Sequence, residues 1–398
     1  MKILTSAIVQ KLFYRSTIKM KTNVVKYLII LAFAVGISSI HHSLFAQDKQ
    51  KSFTVSKGDK LNLSTRMGNI TIDTWNKNEV NVVVKNIIDD ERDLLKMEQR
   101  GNEVKVVFKG DDSNRIEFEI TIPSELNLDL STGGGNVTLK NDINGTIDIS
   151  TGGGNISTKN IIGKTDLSTA GGNIKTGNIN NDADISTAGG DVSIGNINGT
   201  ADVSTAGGNV KVGKIGGKAD VSTAGGNISI DDVDGDADVS TAGGNINVNK
   251  VSGSADINTA GGNISLSSAT GKVETNTAAG NISLRNIFGY IDANTAAGNI
   301  CAELKPDGKN PSEFNSAVGN IKLFIPADAK ATIVATVNVI VWGNSDEELQ
   351  NIKSDFTPTS VKRMKDRRQI EVTYELNGGG SLIELNVAMG EIEIRKLK

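Results

Sequence analysis

An 18-residue repeat through the middle of the chain constrains the fold more than any other feature. Eleven copies of a motif close to STAGGNI occur, from STGGGNV at residue 131 to NSAVGNI at residue 315. The first interval is 19 residues, the next eight are 18, and the last is 21 because KPDGKNPSEF is inserted there. A period near 20 residues is typical of a solenoid, in which each unit buries its apolar face against the next.

Within each copy, apolar and polar residues alternate, which is the pattern of a β-strand. In residues 222–239, for example, the apolar positions include Ile228, Ile230 and Val239, with polar residues between them. The column through Ile228 is aliphatic and β-branched in all eleven copies, as expected of a buried stack. Its members are Val137, Ile156, Ile174, Val192, Val210, Ile228, Ile246, Ile264, Ile282, Ile300 and Ile321.

The sequence therefore predicts an all-β protein, a single-chain parallel β-solenoid (β-helix) of about 18 residues per coil, with antiparallel β caps at both ends. Each coil should have two β segments, around GNISI and ADVST, with looser chain through DDVDGD. The crossover rule favours right-handed winding, although an 18-residue coil also suits left-handed hexapeptide helices.

One glycine and one asparagine position recur in a way that predicts a corner. The residue before the Asn column is Gly in every copy, as at Gly226, which indicates either positive φ or close approach of neighbouring coils. The next residue is Asn in ten copies and Asp191 in one. We expect these side chains to form a hydrogen-bonded ladder. A phosphate-binding loop is disfavoured, because no GxxxxGK[ST] motif or following helix is present.

The N-terminus predicts an export signal over residues 1–46, with Met20 as a possible true start. Residues 27–37 are an apolar run of eleven that follows Lys19, Lys21 and Lys26. Eleven residues are too few to span a bilayer core of about 30 Å, which favours a cleaved signal peptide. The alternative is an uncleaved anchor or a buried helix. The remaining boundaries are an N-terminal β cap over 47–130, the repeat solenoid over 131–323 and a C-terminal β cap over 324–398. Caps are expected because open solenoid ends expose unpaired strand edges.

Charge and composition exclude several function classes. The six basic residues of 1–46 leave 36 basic against 46 acidic residues after cleavage, a net charge of −10 that disfavours nucleic-acid binding. His41 and His42, the only histidines, lie in the signal, and Cys301 is the only cysteine. This rules out His-based triads, His-ligated zinc and disulfides in the mature chain. No catalytic, cofactor-binding or metal-binding residue is predicted.

Acidic residues form the most prominent polar pattern. One outward position is acidic in nine successive coils, and we interpret this stripe as a solvated face, with cation bridging or a cationic ligand as alternatives. Its members are Asp148, Asp166, Asp184, Asp202, Asp220, Asp238, Asp256, Glu274 and Asp292. The cluster DDVDGDAD at Asp231 resembles a calcium loop, but Gly243 stands where an EF-hand needs Glu. Cys301 is expected to point outward on a Ser column, without a histidine to activate it.

The repeats, the preceding IEFEITIPSELNLDLSTGGGNV and the early WNKNEVNVVV together resemble the DUF4097 family of "putative adhesins". The likeness covers most of residues 51–398. It implies a parallel β-solenoid in an exported bacterial protein without known catalytic residues, and it transfers no site residues to this chain.

The leading hypothesis is an exported, non-enzymatic adhesin or cell-envelope scaffold, located in the periplasm, at the cell surface or outside the cell. Its ligand would be an unknown envelope, surface or glycan component; neither nucleic acid nor a cofactor is expected, and the mature chain should lack a transmembrane segment. The first alternative is a carbohydrate-active β-helix enzyme, which would need two carboxylates about 5 to 10 Å apart on irregular loops. The second is an envelope-stress accessory protein that acts through its caps.

Overall fold

A computed structural model describes residues 47–110, 116–338, 351–364 and 368–397. The predicted signal peptide, residues 1–46, lies outside these ranges. Contacts place Asp48–Ile87 and Glu91–Lys398 in one unit, which contains both β-sheets. The second unit, Met1–Gln47 with Ile88–Asp90, has only residues 47 and 88–90 within the described part of the chain.

The repeats fold as two short strands per coil, because the alternating aliphatic residues can bury one face of each strand. The strands of this region are β9 (Val137–Leu139), β10 (Ile147–Thr151), β11 (Ile156–Ser157), β12 (Thr165–Thr169), β13 (Ile174–Thr176), β14 (Ala183–Thr187), β15 (Val192–Ile194), β16 (Ala201–Thr205), β17 (Val210–Val212), β18 (Ala219–Thr223), β19 (Ile228–Val233), β20 (Ala237–Thr241), β21 (Ile246–Val251), β22 (Ala255–Thr259), β23 (Ile264–Ala269), β24 (Lys272–Thr277), β25 (Ile282–Ala297), β26 (Ile300–Pro306), β27 (Ser312–Val318) and β28 (Ile321–Ile325).

Equivalent strands of successive coils pair in parallel, which confirms the predicted parallel β-solenoid. Sheet A contains the strands of the Ile228 column, from β9 and β11 to β26 and β28. Sheet B contains the strands with the ADVST pattern, from β10 and β12 to β24 and β27. Strand β25 is long enough to serve both sheets. The pairing joins identical repeat positions, such as Val210 to Ile228, so each position forms a continuous column.

The interior of the coils is aliphatic, and every member of the Ile228 column is at most 1% exposed. Sheet B contributes inward residues such as Val221 and Val239. The stretch predicted to be loose instead carries a third inward line, in which Ile215 bridges to Val233 in parallel. The other members of this line are Ile143, Ile161, Ile179, Ile197, Val251, Ala269, Ile287 and Leu304. Each coil therefore has three inward-facing segments rather than two.

The recurrent glycine of each repeat is required for close approach, which resolves the two alternatives left by the sequence. A Cβ built on Gly226 would overlap the carbonyl oxygen of Gly208 in the coil below, whereas Gly226 has no positive φ. The same overlap recurs along the column, and only its last repeat member, Gly319, also has positive φ, at 148°. Any side chain here would push neighbouring coils apart.

Threonine and asparagine side chains form hydrogen bonds with the backbone carbonyl and amide groups of this corner. The buried Thr223 hydroxyl donates to the carbonyl oxygen of Gly208 at 2.9 Å and accepts from the Gly226 amide at 3.2 Å. The backbone amide and side-chain amide of Asn227 both donate to Oδ1 of Asn209, at 2.9 and 3.1 Å. Equivalent bonds run along the stack and confirm the predicted asparagine ladder.

The N-terminal end continues both sheets. Its strands are β1 (Gln47–Thr54), β2 (Lys60–Thr65), β3 (Asn69–Trp75), β4 (Glu79–Ile87), β5 (Leu95–Arg100), β6 (Glu103–Phe108), β7 (Glu117–Pro123) and β8 (Asn127–Thr132), with a 3₁₀ segment at Asp89–Leu94. Strands β2 and β3 carry the divergent motif STRMGNI and pair in parallel with β8 and β9. Antiparallel pairing follows at the edge, between β4 and β7 and between β5 and β6.

The C-terminal end adds one more coil out of sequence order. Its strands are β29 (Ala331–Asn338), β30 (Ile352–Ser354), β31 (Ser360–Met364), β32 (Gln369–Leu376), β33 (Ser381–Met389) and β34 (Ile392–Lys396). Strands β33 and β34, with the sequence NVAMGEI at their junction, stack directly on β27 and β28 as a further copy of the repeat. Strand β29 covers β33, and β32 pairs antiparallel with both β29 and β31.

The antiparallel pairing predicted for both ends is thus confirmed, and each end also adds parallel strands to the stack. The described residues contain no α-helix. Within the same ranges, no helical segment has the length and hydrophobicity needed to cross a membrane. Right-handed winding stays a prediction.

Candidate ligand-binding surface

The exterior of sheet B presents the acidic stripe predicted from the repeats. Its members stand opposite one another in parallel register, as in Asp202 opposite Asp220. The side chains from Asp148 to Asp238 are exposed, whereas the last three acids of the stripe are half-buried. Asp129 in β8 extends the column by one coil in the N-terminal direction, and Glu313 and Glu384 extend it in the C-terminal direction. The acidic column therefore runs from β8 to β33, and Asn62 of β2 occupies the next position in the N-terminal direction.

Mutual repulsion shapes the electrostatics of this stripe. Partial burial, followed by the negative charges of neighbouring stripe acids, raises the pKa of Asp166, Asp202 and Asp238. Lysines pair with the column near its ends, where Lys60 contacts Asp129 and Lys272 contacts Glu274, both at 2.6 Å. Among the described residues, none forms an ion pair with the six aspartates from Asp148 to Asp238. The middle of the stripe is thus negatively charged without a direct ion pair, and Lys164 and Lys218 offset this charge only in part.

A second outward column lies two residues after the acids of the stripe. It consists of Ser up to residue 240 and of Asn from residue 258 onward. In the C-terminal half these amides form their own ladder, with Asn276 donating to Asn258 at 2.9 Å and Asn294 donating to Asn276 at 3.0 Å. Asn386 of the out-of-order coil continues it by donating to Asn315 at 3.0 Å. These bonds fix the amide orientations, so the surface repeats with little variation from coil to coil.

A shallow groove of about 1170 Å³ follows this column along the edge of sheet B. Small side chains line it in seven successive coils, among them Ser222, Ala224, Ala242 and Asn294. The acidic stripe lies on the same strands, two residues before the Ser and Asn column. The groove is long, narrow and repetitive, which suits an extended ligand better than a compact one.

Three aspartates of the acidic cluster DDVDGDAD bind groups of neighbouring coils at the surface. Asp234 pairs with Lys214 of the preceding coil at 2.8 Å, Asp232 accepts from Asn249 at 2.7 Å, and Asp236 accepts from the Ser254 amide at 2.8 Å. No group of three His, Cys, Asp or Glu side chains in the described ranges is arranged to hold a metal ion.

Cys301 points outward, as its place in the alternation predicts. It is exposed and stacks between Ser283 and Lys322 in sheet A. Partial burial raises the pKa of its thiol, against a lowering effect of Lys322. The neutral thiol is therefore favoured at this position.

A second polar cluster, which the repeat pattern did not reveal, lies at the C-terminal end of sheet A. Its pocket of about 570 Å³ is lined by Asn286, Glu303, Lys305, Lys322, Phe324, Asp355, Arg395, Lys396 and Leu397. These residues come from β25, β26, β28, β34 and the segment after β30. The one available signal was composition, because the chain has no aromatic residue between Phe118 and Phe288 and several after it.

Comparison with known proteins yields a family and distant structural neighbours. The Toastrack DUF4097 family model matches residues 53–258 and 217–339. A "putative adhesin" from Bacteroides fragilis is 16% identical, with 62% of this chain and 96% of that chain covered and a TM-score of 0.30. A "putative adhesin" from Parabacteroides distasonis is 12% identical, with coverages of 71% and 98% and a TM-score of 0.28.

A third structure, a "putative adhesin" from Parabacteroides merdae, is 14% identical, with 64% of this chain and 96% of that chain covered and a TM-score of 0.29. No curated protein sequence matches this chain. The two family matches together span most of the solenoid, from β2 to β29. On this evidence the chain belongs to the Toastrack DUF4097 family.

Proposed function

We propose that the protein is an exported, non-enzymatic adhesin or cell-envelope scaffold that binds an extended polymer along the exterior of sheet B. The observation that carries the proposal is the groove, which is lined over seven coils by a constant alanine column and a column of Ser or Asn. Consecutive coils are about 4.8 Å apart, so a polymer lying along the groove would meet the same contacts at regular intervals. Many weak, identical contacts then add up to useful avidity.

The acidic stripe would set which polymers can lie there. Its unpaired aspartates raise the local concentration of cationic groups and repel anionic ones. A polymer that carries amines or bridging cations is therefore favoured over nucleic acid. The end segments, residues 47–130 and 324–398, would act as caps that protect the edges of the stack.

The proposal is tested by pull-down of the full-length chain against bacterial envelope fractions and a panel of soluble glycans. The triple variant Asp202→Asn, Asp220→Asn, Asp238→Asn removes three charges from the stripe, and Ala242→Arg narrows the groove. A matched triple control, Asp191→Asn, Asp231→Asn, Asp328→Asn, removes the same charge at positions off the stripe. We expect both surface variants to weaken capture and the control to leave it unchanged.

Equal capture by the wild type and both surface variants would refute binding along sheet B. Shortening of a captured glycan during incubation would instead support the alternative of a carbohydrate-active enzyme.

A further inference from the structure

The C-terminal end of sheet A differs in chemistry from the rest of the solenoid surface. Phe288 is 47% exposed, and Lys305 of the next coil lies over its ring with Nζ 4.5 Å from the ring centroid. The strand bulges between Leu284 and Ile287, and Asn286 within the bulge has a φ of 45°. A left-handed backbone conformation costs free energy in a residue with a side chain, and such residues are often found at binding sites.

Two of the four cations that line the adjoining pocket are already paired. Lys322 contacts Glu393 at 2.9 Å, and Arg395 contacts Asp355 at 2.9 Å. The pKa of Asp355 is lowered first by the Lys396 backbone amide and then by Arg395, and that of Glu393 is lowered mainly by Lys322. Both carboxylates therefore stay ionised and hold their partners in place.

The other two cations have no carboxylate partner within 4.0 Å among the described residues. Lys305 lies over Phe288, and Lys396 lies over Phe356 with Nζ 5.5 Å from the ring centroid. Both line the same pocket, together with the ring of Phe324. The carboxylates at the pocket are Glu303, Asp355 and Glu393, the last as the partner of Lys322. The four cations therefore outnumber them, which leaves a local positive charge on a chain whose net charge is negative.

The geometry points to this pocket as a binding site for an anionic saccharide unit, such as a uronate residue of an acidic polysaccharide. A carboxylate of the ligand would pair with the ammonium group of Lys305 or of Lys396, and the C–H face of the sugar ring would pack on Phe324. The volume of about 570 Å³ lies within the usual range of small-molecule sites, roughly 300 to 1000 Å³. The site is independent of the proposed groove, which lies on the other sheet.

A saccharide fits this pocket better than an anionic bilayer does. Membrane binding relies on several exposed apolar side chains that can enter the lipid. Among the described residues that line this pocket, the large apolar side chains Phe324 and Leu397 are only partly exposed. Glu303 and Asp355 line the same pocket and would repel a continuous anionic surface. A single carboxylate bound at Lys305 or at Lys396 avoids that repulsion.

The test measures binding to the immobilised full-length chain by surface plasmon resonance. The probes are tetragalacturonate, the neutral galactose tetramer, and phosphatidylcholine vesicles with and without phosphatidylglycerol. Lys305→Gln with Lys396→Gln is the pocket variant. Lys175→Gln with Lys211→Gln is the matched control, because both lysines are exposed on sheet A, several coils away. Phe324→Ala tests the aromatic side of the pocket, and thermal melting confirms that each variant is folded.

We expect tetragalacturonate to bind about tenfold more tightly than the neutral tetramer, and the pocket variant to lose about tenfold, since a charged hydrogen bond contributes about 1.5 kcal/mol. The control pair should bind like the wild type, and Phe324→Ala should bind more weakly. Absence of binding at millimolar tetragalacturonate, equal affinity for the neutral tetramer, or equal loss in the control pair would refute the site.

Binding of only the phosphatidylglycerol vesicles, lost in the pocket variant, would also overturn the saccharide proposal in favour of a lipid headgroup. The triple variant of Asp202, Asp220 and Asp238 reports on sheet B alone. Each of the two proposals can therefore be refuted without refuting the other.

Discussion

The coils over residues 131–257 and the region over residues 258–397 use the same backbone plan in different ways. In the first region the main backbone contacts recur from coil to coil, from the Gly226 overlap to the Thr223 hydroxyl bonds. In the second, an insertion, a bulge and an out-of-order coil create groups that occur once, including Phe288 and the Lys305 pocket. Repetition thus suits a distributed surface, and its interruption suits a local site.

The largest expected effect comes from breaking the close approach on which the regular coils depend. Gly226→Ala places a methyl group against the backbone of Gly208, where no flexible side chain can yield. We expect a loss of about 3 kcal/mol or more in the free energy of unfolding, measured by urea denaturation.

The neighbouring Gly225 is the matched control for this substitution. A Cβ there lies 3.5 Å from the nearest atom, the carbonyl oxygen of Gly207, which is an ordinary contact. Gly225→Ala should therefore change stability little. Similar losses for the two alanine variants would show that the corner can relax and that close packing of the coils is not what selects glycine.

Two buried threonines sharpen the comparison because one belongs to the repeat and the other interrupts it. Thr223→Val removes the hydroxyl that bonds both Gly208 and Gly226, so it should cost about 1 to 2 kcal/mol. Thr275 replaces an aliphatic residue of sheet B, and its buried hydroxyl has no partner among the described residues. Thr275→Val should stabilise the protein by about 1 kcal/mol.

Thermal and urea unfolding of both valine variants, with Thr223→Ser as a control that keeps the hydroxyl, provide the measurement. A loss of stability in Thr275→Val equal to that in Thr223→Val would contradict the assigned hydrogen bonds.

The smallest expected effect concerns the acidic stripe. The pKa of Asp202 is raised from its ordinary 3.8 by partial burial and then by Asp184 and Asp220, so the folded state binds its proton more tightly than the unfolded state. Stability should therefore fall as the pH rises from 3.8 through the raised pKa, and stay lower above it. At pH 7, Asp202→Asn should stabilise by about 0.3 kcal/mol, a value reduced by solvent screening.

Melting temperatures of Asp202→Asn and the wild type between pH 4 and pH 7 test this effect, with Asp328→Asn as a control off the stripe. The advantage of Asp202→Asn should shrink at low pH and at high salt. An advantage that grows as the pH falls would have the wrong sign for a repulsive stripe.

The periodic part of the fold could be predicted from sequence because each buried column repeats its residue type at a fixed interval. The Ile228 column, the asparagine ladder and the outward acids all follow from that interval. The third inward line was missed because Val233 is the single apolar residue in a polar stretch, too short to give an alternating pattern. Positive φ and close approach both select glycine, so sequence alone left the two open.

The C-terminal coil and the pocket depend on contacts between segments distant in sequence. Asn386 stacks on Asn315, 71 residues earlier, so no 18-residue interval marks it. The pocket joins Lys305 to Lys396 through several strands, and no local motif connects them. Only the late appearance of aromatic residues hinted that the surface changes there.

The central claim, that binding is distributed over the regular coils, is tested most directly by deleting residues 222–239. This in-register deletion joins equivalent positions, whereas a 17-residue deletion of 222–238 shifts the alternation by one and should prevent folding. We predict that the 18-residue deletion folds, with little loss of stability, and that capture of envelope components weakens in a graded way, further reduced by deletion of 222–257. Complete loss of capture in a folded single-coil deletion would contradict the distributed surface and indicate one local site.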